Sequence, residues 1–252
     1  MKYLLPILFF AGCVQISGPQ IPIPNGIFVQ KTTGYPGVVE ILTPDSGLCT
    51  GFAIAPNAIL TAAHCTLTSG TYEIVDKTFL GDTNTFIPFG NGSVGDTEDI
   101  SVLKLEFNLF SSDSIYSIGH SVAVGDNIRM VGFGCDSTAS EVGAGIKRTG
   151  VNQLYAFSEG FLQFLSHQMA PPADAIVDYS NNSGTCPGDS GGPAIVTING
   201  NDTMVVVGVV HSGAVDPEEH LDISNFVDLT LEANQNFLHQ VSSSSGLDIR
   251  FQ

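Results

Sequence analysis

Basic side chains are scarce: 8 Lys and Arg stand against 25 Asp and Glu, leaving a net charge of −17. Nucleic acids and anionic membrane surfaces are bound through clustered Lys and Arg, so this balance argues against both as partners. It suits solubility and says nothing about fold. Charged residues of either sign are few, 13% against 43% hydrophobic, which is the composition of a packed globular chain and not of a disordered one. Helical periodicity is missing until close to the C-terminus, and no internal repeat stands out. Cys and His pairs at metal-ligand spacing are also missing, so no metal or cofactor is expected.

What is present begins with an export signal. "MKYLLPILFFAGC" has one lysine, an apolar core and small residues before Cys13, and it is too short to remain as a membrane span. Residues 1–12 therefore read as a signal peptide. "FAGC" resembles the bacterial lipobox, which makes Cys13 the lipidation site, although Phe10 stands where Leu is commoner. Ordinary cleavage beside an incidental cysteine is the alternative. Residues 13–33, rich in Pro at their start, read as a tether. The expected location is the bacterial cell envelope, lipid-anchored, or the secreted fraction, with membrane contact only through a lipid on Cys13. Export makes Cys49, Cys65, Cys135 and Cys186 an even set, with three possible pairings.

Short β-rich runs follow: "GVVEIL" (37–42), "GFAIAP" (51–56), "AILTAA" (58–63), "ISVLKL" (100–105), "NIRMVGFG" (127–134), "PAIVTI" (193–198) and "TMVVVGVV" (203–210). Turn residues separate them, as in an all-β chain. "TINGNDT" (197–203) reads as a hairpin loop. Ala233, Phe237, Leu238 and Val241 form one face of a closing helix that "SSSSG" ends.

"TCPGDSGGP" (185–193) crowds Gly and Pro around Ser190. A surface turn uses the same residues, so the stretch alone decides nothing. A serine nucleophile requires a base, and the base an orienting group. "LTAAHC" puts His64 after an apolar run, and "EDISVLKL" puts Asp99 before another. Each is ordinarily structural by itself. In the order His, Asp, Ser they supply base, orienter and nucleophile.

"TAAHC", "DISVLKL" and "GDSGGP" in that order resemble the chymotrypsin/trypsin-like serine endopeptidases. "GFG" (132–134), "GIKRTGVN" (145–152) and "VVGVVHSG" (206–213) extend the likeness over about residues 34–241. The resemblance implies an all-β domain of two six-stranded antiparallel barrels with a C-terminal helix, followed by a tail at 242–252. It implies a His64–Asp99–Ser190 triad between the barrels, acting through an acyl-enzyme on protein or peptide substrates. It further implies an oxyanion hole from the amides of Gly188 and Ser190, and a monomer. Cys49 and Cys65 match the family's bridge at its histidine, and the family layout brings Cys135 beside Cys186.

The same likeness places Gly184, Thr185, Val210, His211, Gly213 and Asn225 around the primary specificity pocket. Gly184 stands where aspartate would select Arg and Lys, so an uncharged pocket is expected. Thr185 and His211 are similar to the pair with which glutamate-specific relatives hold an acid, but His211 lies one residue late. That turns it to the other face of its strand, towards Asp99. A catalytically silent homologue serving as a binding module is the alternative function. An esterase of the α/β-hydrolase type would need the chain order Ser, Asp, His. No Ile-Val-Gly-Gly activation stretch occurs, the nearest being "NGIFVQ" (25–30), so Asp189 is expected to find an internal partner without a cut; cleavage after Gly26, freeing Ile27 for Asp189, is the alternative.

Overall fold

A computed structural model describes residues 30–75, 86–93, 95–135, 143–167, 182–216 and 221–252. The expected signal peptide, Cys13 and most of the expected tether lie outside the described residues.

The alternating and fully apolar runs become strands of two antiparallel sheets. The first holds β2 (Val38–Leu42), β3 (Leu48–Ala55), β4 (Ala58–Thr61), β5 (Glu73–Ile74), β6 (Phe86–Pro88) and β7 (Ser101–Lys104) in the order β5-β2-β3-β4-β7-β6. Val38, Ile41, Phe52, Ile59, Leu60, Val102 and Leu103 are completely buried inside it. β-branched and aromatic residues at these positions suit a pleated surface closed on one side.

The second sheet has nine strands where six were expected. Six of them run β10 (Arg148–Gln153), β9 (Asn127–Gly132), β13 (Pro193–Ile198), β14 (Asn201–Asp216), β15 (Leu221–Asp228) and β12 (Phe161–His167). Asn152 bridges the ends of that path by donating from Nδ2 to the Leu165 carbonyl, 3.0 Å. The additional strands are short: β1 (Gln30–Lys31) on β10, β8 (Ser117–Ile118) parallel to β14, and β11 (Ala156–Ser158) on β12. Ile128, Leu162, Phe164, Val207 and Phe226 fill the second core. The fold is the chymotrypsin-like double barrel. The expected hairpin is present at Asn199 and Gly200, both at positive φ, joining Ile198 to Asn201.

The closing helix α1 (Glu232–Ser245) ends at Gly246, whose φ of 65° supplies the left-handed cap. Phe237, Leu238 and Val241 are buried as the periodicity predicts, but Ala233 is exposed. Asn234 and Gln235 take the inward positions, because their amides reach carbonyls. Asn234 Nδ2 donates to Thr97 and Asp228, and Gln235 Nε2 to Gly119 and Leu229. Beyond the helix, Leu247 and Ile249 are buried, and Phe251 bridges Ile118 on β8.

The two barrels meet at Thr50, a fully buried residue of β3. Its amide donates to the Ser190 carbonyl at 2.8 Å, and its hydroxyl donates to the Gly188 carbonyl at 2.8 Å. The same hydroxyl accepts the Phe133 amide at 3.1 Å, and the Thr50 carbonyl accepts the Thr61 hydroxyl at 2.7 Å. Thr50→Val keeps the shape and orphans both the Gly188 carbonyl and the Phe133 amide. Each orphaned buried group costs about 1–3 kcal/mol, so urea unfolding should register a loss of about 2–4 kcal/mol. A loss well under 1 kcal/mol would show that this hydroxyl is not the joint.

Candidate active site

His64 sits in the 3₁₀ turn Ala63–Thr66, directly after β4. Cys65 is bonded to Cys49 on β3, which fixes the turn against the strand beside Thr50. Asp99 precedes β7 in a loop organised by Asp96. The Asp96 carboxylate accepts the amides of Asn91, Gly92 and Glu98. Gly92, at φ 68°, lets this loop close on the His64 backbone, where a Cβ would collide. From the other side, Asn234 of α1 holds the Thr97 carbonyl.

Asp99 is completely buried, and its carboxylate accepts three N–H groups. Oδ1 takes the His64 backbone amide at 2.8 Å. Oδ2 lies 2.7 Å from His64 Nδ1 and 2.6 Å from His211 Nδ1. Burial pushes the Asp99 carboxyl up, but donation from His211 and His64 outweighs it and holds the group below the usual carboxylate range. An ionised oxygen cannot donate, so both rings carry their proton on Nδ1. That tautomer puts the lone pair of His64 on Nε2, in a side chain that is partly exposed.

Ser190 enters from the second barrel in the loop between Cys186 and β13. Its carbonyl is tied to Thr50 and lies 3.8 Å from Cys65 Sγ, so the serine is brought beside the histidine turn. Among the described residues no hydrogen bond joins Ser190 Oγ to His64. In unliganded sites this contact is often long. The amides of Asp189, Gly191 and Gly192 are spent on the carbonyls of Cys186, Val210 and Asp189. Those of Gly188 and Ser190 donate to nothing among the described residues. Gly188 has φ 100°, and a Cβ there would run into Leu48, so only glycine fits. Two unspent amides at a serine are donors of the kind that can receive a developing oxyanion.

Asp189, between those amides, turns its carboxyl inward against Gly132 and Gly134, where side chains would collide with it. Oδ1 accepts the Gly134 amide and Oδ2 the Cys186 amide, each at 2.8 Å. The second disulfide, Cys135–Cys186, joins the two segments that supply these donors. Both bridges are those the family likeness implied.

The pocket residues divide. Gly184 and Thr185 adjoin one another beside Ser166 and Ser224: the Thr185 hydroxyl bonds Ser224 Oγ at 3.0 Å, and a Cβ on Gly184 would meet Ser166 Oγ. Gly213 pairs with Ser224 across β14 and β15. Three others are placed elsewhere. Val210 packs into the second core, His211 turns to Asp99 as its late position implied, and Asn225 turns to Ser212 and Gln163. The physical reason is a bulge: Val210 pairs with Phe226 and Ser212 with Asn225, leaving His211 as the extra residue. Alternation then gives Ser224, not Asn225, the face towards Gly184. Ser166, Ser224, Thr50 and Asp96 were invisible to sequence reasoning, since their roles depend on strand pairing and loop closure between distant segments.

Burial pushes the Asp189 carboxyl up to about 7, against the Gly134 amide and the charge of Arg148, which lower it. Between the ordinary 3.8 and about 7, the native chain keeps a proton that the unfolded chain has lost. This group's contribution to stability therefore falls as pH rises through that window. Asp189→Asn should flatten the decline, measured as unfolding free energy at about pH 5 and about pH 7. Parallel slopes for variant and parent would contradict the assignment.

Comparison with known proteins agrees with this architecture. The family model described as trypsin matches residues 25–228. The solved structure of neuropsin, a serine protease expressed in the limbic system of mouse brain, superimposes with a TM-score of 0.63. That likeness covers 87% of this chain and 100% of neuropsin at 16% identity, and so speaks for the fold. No curated protein matches the sequence. With two disulfide-stapled barrels and most of its length matched, the chain belongs to the trypsin family.

Proposed function

We propose that the chain is an exported serine endopeptidase. The observation that carries this reading is the pairing of His64 with a buried Asp99 opposite a serine flanked by two unspent amides. Ser190 Oγ attacks the scissile carbonyl while His64 Nε2 takes its proton, and Asp99 holds the ring and stabilises the imidazolium. The oxyanion settles on the amides of Gly188 and Ser190. Collapse of the intermediate breaks the C–N bond, and the proton passes from His64 to the leaving amine. Water then repeats the sequence on the acyl-enzyme and frees Ser190. No cofactor or metal enters these steps.

The primary pocket is uncharged, formed around Gly184, Thr185, Ser166, Ser224 and Gly213. His211 lies against Asp99, which speaks against a glutamate-selective site. Residues 1–12 are the signal peptide, Cys13 carries the lipid, residues 13–33 are the tether and 34–241 the protease domain, with residues 242–252 closing it. The enzyme is a monomer of the bacterial cell envelope or medium, and its two disulfides suit an oxidising compartment. The amides of Gly134 and Cys186 serve Asp189 as internal partners in place of a newly cut N-terminus, so the uncut chain is active.

Fluorophosphonate should label Ser190, and Ser190→Ala should abolish the adduct. Ser190→Ala and His64→Ala should each lower kcat by about 10⁶, and the double variant by little more. Labelling that survives Ser190→Ala sinks the peptidase reading, while a parent that never labels favours the silent homologue. Intact mass of the labelled protein also reads the N-terminus. A start at or near Ile27 in every labelled molecule would overturn activity without a cut.

A peptide library should show weak cleavage after Arg and Lys, since Gly184 offers no carboxylate to pair with them. Asp222 lies on the same face of β15 as Ser224 and directly opposite Ser166. Strong tryptic cleavage that disappears in Asp222→Asn would replace the uncharged pocket by an acidic one.

A further inference from the structure

We infer that His211 is a second imidazole of the Asp99 carboxylate, a positioning residue that divides the carboxylate's charge between two rings and so sets the pH at which His64 works as a base. The inference rests on the peptidase reading above. Its first support is geometric. His211 Nδ1 lies 2.6 Å from the same Oδ2 that His64 Nδ1 approaches at 2.7 Å, and the two ring centroids are 6.0 Å apart. His211 faces away from its neighbour Val210 in the second core, as alternation requires, and the bulge leaves it as the extra residue between Val210 and Ser212.

The second support concerns the state of the ring. His211 is 5% exposed and stacks on Phe161 of β12 with centroids 5.1 Å apart and planes at 11°. Its Nε2 is buried without a hydrogen-bond partner among the described residues. A second proton there would place an N–H with no acceptor in an apolar setting, which is costly. Among the described residues the ionisable groups facing His211 are Asp99, from the loop before β7, and His64, from the turn after β4, while β12 presents the Phe161 ring. His211 therefore donates from Nδ1 to Asp99, and its buried Nε2 takes no part in proton transfer.

A carboxylate that gives one oxygen to two N–H donors is a weaker base towards each than one that serves a single donor. The imidazolium that forms on His64 during turnover then meets a partner whose charge is already shared. Without His211, His64 would hold its proton to higher pH, and activity would begin at higher pH. The second donor also fixes the carboxylate in the plane that His64 requires, so its loss should lower kcat as well.

The test compares kcat/KM against pH for the full-length enzyme, His211→Leu and His211→Asn. Leu removes the donor, whereas Asn keeps an N–H at the position of Nδ1. In His211→Leu the acid limb should move up by about half a unit to one unit, with kcat down about tenfold. In His211→Asn most of both effects should be reversed. An acid limb that stays in place in a folded His211→Leu, or that moves equally in both variants, overturns the inference. If His211→Leu does not fold, proton NMR of the parent decides. Two strongly downfield imidazole N–H signals, assigned to His64 and His211, are expected, and only one would refute the shared carboxylate. Fluorophosphonate labelling of Ser190 in the same samples separates the outcomes. A labelled enzyme with an unmoved limb refutes only the role of His211, whereas an enzyme that never labels refutes the peptidase reading itself.

Discussion

The four hydrogen bonds of Thr50 hold together what the chain keeps furthest apart. Through its amide and hydroxyl, β3 of the first barrel grips the carbonyls of Ser190 and Gly188, and through its carbonyl it is gripped by Thr61 at the end of β4. β4 leads within three residues to His64. The Ser190 loop and the His64 turn are therefore referenced to one peptide unit and not to two independent barrels. Cys49 precedes Thr50 and Cys65 follows His64, so the first disulfide doubles the same link with a covalent one. A crevice between domains would ordinarily be the softest part of such a fold. Here it is crossed by buried hydrogen bonds that only one side-chain hydroxyl can complete.

Two inward-turned carboxylates sit on either side of that joint, and opposite solutions keep them there. Asp99 is surrounded by donors, and their effect exceeds the penalty of burial, so it stays charged. Asp189 receives two amides and the more distant charge of Arg148, which do not offset burial, and its proton is held up to about neutral pH. The difference fits the two positions. In the proposed mechanism a charge at Asp99 stands opposite an imidazolium, whereas Asp189 has only to hold a loop, which a carboxyl accepting two amides can do. Cys135–Cys186 joins the segments that carry those amides, so it stabilises the loop without adding charge.

Much of this was legible in the sequence, and the rest was hidden for identifiable reasons. The runs around Val38–Leu42, Leu48–Ala55, Ala58–Thr61, Asn127–Gly132 and Pro193–Ile198 are apolar or alternate cleanly, and they are strands. β12 and β15 were missed because their inward faces pass from Phe164 and Phe226 to Ser166, Ser224 and Asp222, where the barrel interior gives way to a polar pocket. Periodicity reads burial, and polar burial leaves no such trace. Ala233 was expected inside the helix on the same logic. The structure buries Asn234 and Gln235 instead, since a carbonyl acceptor can make an amide the better core residue.

His211 shows most clearly how one local irregularity changes chemistry. Counting from Gly208 places it off the pocket, and the bulge between Val210 and Ser212 leaves it as the extra residue. As neighbours on one strand, Val210 and His211 face opposite ways. The reverse arrangement would fail: an imidazole in the core would lack an acceptor for its N–H, and a valine on Asp99 would bury a charge with one donor fewer. The observed one meets both demands, with Val210 kept among Phe164 and Phe226 and the imidazole turned to the only buried carboxylate within its reach among the described residues. The position of a single unpaired residue in β14 therefore links the packing of the second barrel to the charge state of a group in the first.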